Sequence, residues 1–94
     1  MYILRIEHPV PSYEGWKKAF ESDPAGREKN GVKGYHVLRP VDDANYVMID
    51  LEFEAQNLAE AFLESMRAIW GRVEGKVMTS PKARIVEIVE TGNY

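Results

Sequence analysis

The sequence predicts an α+β domain of order βαββαβ, a four-stranded antiparallel sheet with two helices on one face. Three observations carry this. Tyr46-Val-Met-Ile-Asp-Leu-Glu-Phe53 alternates with period two, placing Val47, Ile49, Leu51 and Phe53 on one side and Tyr46, Met48, Asp50 and Glu52 on the other. Asn57 to Trp70 changes to a helical period, with Leu58, Ala61, Phe62, Ser65 and Ile69 expected on the buried side. A similar strand-then-helix pair, Tyr2 to His8 and then Ser12 to Phe20, opens the chain.

In chain order, Tyr2, Leu4 and Ile6 share one face of the first strand, and Ile3, Arg5 and Glu7 the other. Pro9-Val10-Pro11 ends it, because proline gives no N–H to a ladder. Ser12 stands at a helix N-cap, and Tyr13, Trp16 and Phe20 follow at helical spacing. Asp23-Pro24 reads as a second helix start, with one or two turns over Ala25 to Lys29 and a left-handed stop at Asn30-Gly31. Val32 to Arg39 is the second strand. It pairs through the Pro40 to Asn45 turn with the strand from Tyr46 to Phe53. After Trp70, Gly71 to Gly75 and Thr79-Ser-Pro81 carry turn residues around a small apolar anchor of Val77 and Met78. Ala83 to Glu90 is the last strand, and Thr91 to Tyr94 a tail.

The 94 residues, 1–94, read as a single domain. Hydrophobic residues make up 45% of the chain, enough to argue against intrinsic disorder. The net charge is −3 with the signs interspersed, so no basic footprint for nucleic acid is present. No apolar run is long enough for a membrane span or a signal peptide. The chain has no cysteine, which excludes disulfides and thiol nucleophiles and fits a reducing, cytoplasmic location. Its two histidines, His8 and His36, have no metal-ligand spacing, so no metal site is expected.

The order βαββαβ is the split arrangement of ferredoxin-like folds, with the first and third strands in the middle. The helix-free face then carries Ile3, Leu38, Tyr46 and Met48, too apolar to stay bare. A homodimer with sheet facing sheet is the economical cover.

At this point the chain resembles the dimeric α+β-barrel superfamily, in particular the antibiotic-biosynthesis-monooxygenase-like proteins. The likeness runs through Arg5-Ile-Glu-His8, Ser12-Tyr-Glu-Gly-Trp16, Phe20, Gly31-Val32, Tyr35 to Arg39, and Asp50-Leu-Glu-Phe53 leading into Ala59-Glu-Ala-Phe62. It implies a homodimer with an internal cavity on the helix-free sheet face. Members of the superfamily include cofactor-free oxygenases of polyketide-like aromatics and haem-degrading proteins. The haem-degrading branch uses a histidine on the second long helix, and Asn57 to Trp70 contains none.

The strand alternation sends Arg5, Glu7, His36, Leu38, Tyr46, Met48 and Asp50 to that helix-free face, while Tyr35 and Val37 pack on the helices. His36 beside Asp50 forms a candidate proton-transfer pair, with the carboxylate orienting the ring. Arg5 is the candidate stabiliser of an enolate, phenolate or carboxylate. Glu7, Leu38, Tyr46 and Met48 are candidate substrate contacts. The competing expectation is that these charges neutralise one another across strands or at a dimer seam. His8, at the end of a strand on the helix side, is expected to hydrogen-bond locally. Trp16 and Trp70 read as core or interface residues, with Trp70 a candidate for a cavity mouth. Asp23 to Arg27 offers backbone N–H groups to an anion. Two function classes stand: a small monooxygenase-like or isomerase-like enzyme without cofactor or metal acting on a small apolar or aromatic substrate, and a non-catalytic dimeric module that binds a small molecule or serves as an accessory protein.

Overall fold

A computed structural model describes residues 1–73 and 80–94. Its elements are β1 (Tyr2–Pro9), α1 (Tyr13–Ser22), β2 (Gly34–Leu38), β3 (Tyr46–Phe53), α2 (Gln56–Val73) and β4 (Lys82–Glu87). The four strands form one sheet in the order β2-β3-β1-β4, antiparallel at every junction. The architecture is therefore ferredoxin-like, with β1 and β3 central as the alternation predicts.

The register explains the core. Leu4 lies opposite Leu51, Ile6 opposite Ile49 and His8 opposite Val47, so one face of the central pair is a continuous apolar surface apart from His8. Trp16 of α1 and Ala59, Phe62, Leu63 and Trp70 of α2 close on it. The α2 backbone lies close against β1, β3 and β4, while α1 stands farther from the sheet. Packed aromatics, Trp16 stacked on Phe20 at 5.0 Å and Tyr13 tilted against Trp16 at 5.9 Å, fill part of the space under α1.

Helix α1 begins as expected. The Ser12 hydroxyl accepts from the Gly15 N–H at 3.3 Å, and its carbonyl from the Trp16 N–H. Asp23 does two jobs where the sequence suggests one. Its backbone, left-handed at φ 52°, closes α1 through an N–H bond to the Phe20 carbonyl. Its side chain accepts from the Arg27 N–H at 2.9 Å and so starts the next turn. That segment is a series of hydrogen-bonded turns ending at Gly31, φ 99°.

Several expectations shift. The apolar stripe of α2 is rotated by about one position: Ala59, Phe62, Leu63, Met66 and Trp70 face the core, while Leu58, Ala61 and Ser65 are turned away from it. The large side chains of Met66 and Trp70 set the orientation, and Leu58 packs over Gly31 instead. Gly71 does not end the helix, which continues to Val73. Strand β2 is shorter than Val32 to Arg39, although Lys33 still donates to the Glu52 carbonyl at 2.8 Å. Strand β4 stops at Glu87 rather than Glu90, because the Ile88 N–H bonds the Met1 carbonyl, where its partner strand runs out. The expected anchor at Val77 and Met78 and the turn at Thr79 lie outside the described residues. Among the described residues no helix is long and apolar enough to cross a membrane.

Candidate functional site: the cavity between sheet and helices

The register brings the sequence-predicted site residues onto one surface. His36, Asp50, Arg5 and Arg84 form a row across β2, β3, β1 and β4, and Leu38, Met48, Glu7 and Lys82 form the next. Arg5 grips Asp50 with both arms of a fork, Nε to Oδ1 and Nη2 to Oδ2, each 2.8 Å. That bond raises the Arg5 pKa. The Tyr46 hydroxyl donates to Glu7 Oε1 at 2.7 Å, which raises the tyrosine's pKa. His36 is exposed on the edge strand, and the Asp50 carboxylate is bonded to Arg5 rather than to the imidazole.

The cavity is elsewhere. A space of about 320 Å³ lies on the helix side of the sheet, and Arg5, Glu7, His36, Leu38, Tyr46, Met48 and Asp50 are all absent from its lining. The cavity expected over the helix-free face is one that two chains enclose; the space lined by a single chain lies on the other side of the sheet. The alternation of β1 and β3 assigns the faces correctly. The opening arises because the aromatic side chains of α1 do not fill the space under that helix. Its walls are Ile6, Ile49 and Leu51 from the sheet, Trp16 and Phe20 from α1, and Phe62, Met66 and Trp70 from α2.

One polar side chain interrupts the sheet wall. His8 is 1% exposed and is the buried polar residue of the described core. Its Nδ1 lies 3.1 Å from the Pro9 carbonyl. A carbonyl only accepts, so Nδ1 carries the proton and the neutral ring keeps its lone pair on Nε2. His8 is one of the residues that line the cavity. Burial lowers the His8 pKa, the Pro9 bond opposing it in part, so the ring is neutral at pH 7. Local hydrogen bonding of His8 is what the sequence suggests; its place on a cavity wall is not visible there.

Charged groups sit at two places on the lining. Asp23 and Arg27 come from the turn after α1, with Arg27 Nη1 3.5 Å from Asp23 Oδ1 and 2.8 Å from the Phe20 carbonyl. The Arg27 guanidinium lies 3.8 Å over the Phe20 ring. Arg72 comes from the last turn of α2. Together these features make an apolar chamber with one neutral imidazole and a few charges. Such a site can hold a small aromatic molecule and accept a proton from it.

No protein-family model matches the chain, and no curated protein does. Solved structures do. A point mutant of MhuD, solved with two manganese protoporphyrin IX bound per active site, is 21% identical over 100% of both chains, with a TM-score of 0.70. SnoaB, a cofactor-independent oxygenase from Streptomyces nogalater, is 12% identical over 96% of this chain and 94% of its own, with a TM-score of 0.74. A proposed antibiotic biosynthesis monooxygenase from Deinococcus radiodurans is 19% identical over 100% of this chain and 98% of its own, with a TM-score of 0.70. Other neighbours are described as dimeric ferredoxin-like proteins. The chain thus has the ferredoxin-like α+β fold of these solved structures.

Proposed function

We propose that this chain is a small cofactor-free enzyme that takes an apolar aromatic molecule into the helix-side cavity, removes a proton from it and exposes the resulting anion to dioxygen. The observation that carries the reading is His8, a buried neutral imidazole on the lining of a mostly apolar chamber. Nε2 takes the proton from an activated C–H. The electron pair left on carbon is delocalised through the aromatic system and passes to dioxygen. For anthrone the balance is anthrone plus O₂ to anthraquinone plus water, through a hydroperoxide that loses water. The low basicity of a desolvated imidazole suits a substrate whose C–H is itself acidic. The fold it shares with SnoaB supports an oxygenase over an isomerase.

A second copy of the chain covers the helix-free sheet face in this reading. Leu38 is 46% exposed there, beside Met48, and two carboxylates on that surface are engaged across strands, Asp50 by Arg5 and Glu7 by the Tyr46 hydroxyl. A sheet face that keeps exposed apolar side chains fits a self-association seam. The row of His36, Asp50 and Arg5 then serves the seam.

The test is oxygen uptake with anthrone by the purified protein, with a metal chelator present. Turnover that falls at least about 100-fold in His8→Gln, with the fold intact by circular dichroism, supports the reading. Dye binding in the cavity with no turnover of any acidic aromatic C–H supports a binding module instead. Turnover unchanged in His8→Gln and abolished in His36→Ala would return the chemistry to the sheet face.

A further inference from the structure

The cavity wall carries more positive than negative charge. Among the described lining residues the charged groups are Arg27, Arg72 and Asp23, and His8 is neutral. The chain as a whole is acidic, at −3, so this local excess runs against the average. Arg27 is held in place by its contact with the Phe20 ring, its bond to the Phe20 carbonyl and its proximity to Asp23. Its hydrogen bond to the Phe20 carbonyl uses Nη1. The guanidinium is thus oriented before any ligand arrives, which lowers the entropic cost of using it.

We infer that the ligand of this cavity is an aromatic anion, its rings packed among Trp16, Phe62 and Trp70 and its acidic group recognised by Arg27 and Arg72. This rests on the reading of the helix-side cavity as the site and adds the class of molecule that enters it. A neutral aromatic ring would bind by burial alone. A carboxylate, sulfonate or phenolate gains charge-assisted hydrogen bonds from guanidinium groups in a poorly hydrated space.

Two dyes of similar aromatic bulk separate the contributions: 1-anilinonaphthalene-8-sulfonate, an anion, and N-phenyl-1-naphthylamine, which is neutral. Energy transfer from Trp16 and Trp70 to the bound dye reports entry into the cavity that both indoles line. Arg27→Gln weakens the anionic dye about tenfold and Arg72→Gln about threefold at low salt, the latter being more exposed. Both variants leave the neutral dye within about twofold, and Arg27→Lys recovers part of the lost affinity. Added salt reproduces the trend for the anion alone. Equal losses for the two dyes in Arg72→Gln, or no change for either dye in both variants, overturn the inference. If neither dye accepts energy from the indoles of the unmodified protein, the cavity reading itself fails. If only the neutral dye does, the failure is confined to the anion.

Discussion

The imidazole of His8 and the indole of Trp16 meet at the cavity wall, with ring centroids 6.2 Å apart and planes tilted by 58°. One comes from the last residues of β1 and the other from the first turns of α1. Strand β1 runs through Pro9, which pairs with Tyr46, before Pro11, and Val10 is itself buried and ties back through its N–H to the Asn45 carbonyl at 2.7 Å. The turn that ends the strand therefore also fixes the distance between the buried imidazole and its aromatic neighbour.

Burial of His8 has a pH consequence. Its pKa in the fold lies below the ordinary 6.5, so the unfolded chain takes up its proton first as pH falls. The stability this group contributes is fully present above about pH 6.5 and is lost as pH drops through the folded pKa. The unfolding free energy from urea titrations followed by tryptophan fluorescence falls between pH 7 and 5, by at most about 1.4 kcal/mol per pH unit from this one group. His8→Gln flattens that slope. The other charged groups on the lining are Asp23, Arg27 and Arg72.

Phe62 holds the α2 side of the chamber and packs on Phe53 with centroids 5.7 Å apart. Phe62→Ala removes a buried ring beside an existing space, which cannot collapse to compensate, and is expected to cost about 3–5 kcal/mol. Phe62→Leu keeps most of the packing and costs about 1–2 kcal/mol. Denaturant titration measures both, and the leucine variant admits a bulkier dye than the unmodified protein.

The helix-free face is open to a direct check. Sedimentation is expected to give a particle twice the 10.8 kDa chain mass, and Met48→Asp to shift it toward one chain. The Arg5–Asp50 pair is half exposed on the arginine side, at 50% against 15% for the aspartate. A double-mutant cycle should give about 0.5–1 kcal/mol of coupling in a monomeric variant, and more when the seam is closed and screening is reduced.

Gly31 sits at φ 99°, where an L side chain is strained, and a Cβ there would stand 3.2 Å from Leu58 Cδ1. Gly31→Ala is expected to destabilise by about 1–2 kcal/mol in thermal melts. Adding Leu58→Ala relieves the steric part and leaves the backbone part.

Much of this molecule is legible in its sequence. Period two in Tyr46 to Phe53 gives both faces of β3 because those side chains alternate strictly between core and surface. Ser12 marks the start of α1 because its hydroxyl has only one good local use. The α2 stripe misleads, since Leu58 and Ala61 are apolar enough to suggest a face that the larger Met66 and Trp70 then override. The cavity is not legible at all. A void between helix and sheet depends on how far α1 stands from the strands, and no period in the chain encodes that distance. For the same reason His8 reads as an ordinary strand-end histidine, while the charged row on the other face, correctly placed by alternation, draws attention as a site.

Ligand entry between sheet and helices, rather than over the bare sheet face, is what the proposed chemistry depends on. Backbone and side-chain chemical shifts of the labelled protein, followed as N-phenyl-1-naphthylamine is added, test it most directly. Shifts concentrated at His8, Trp16, Phe62, Met66 and Trp70 are the expected result. Shifts concentrated at Arg5, His36, Met48 and Asp50 instead would contradict it.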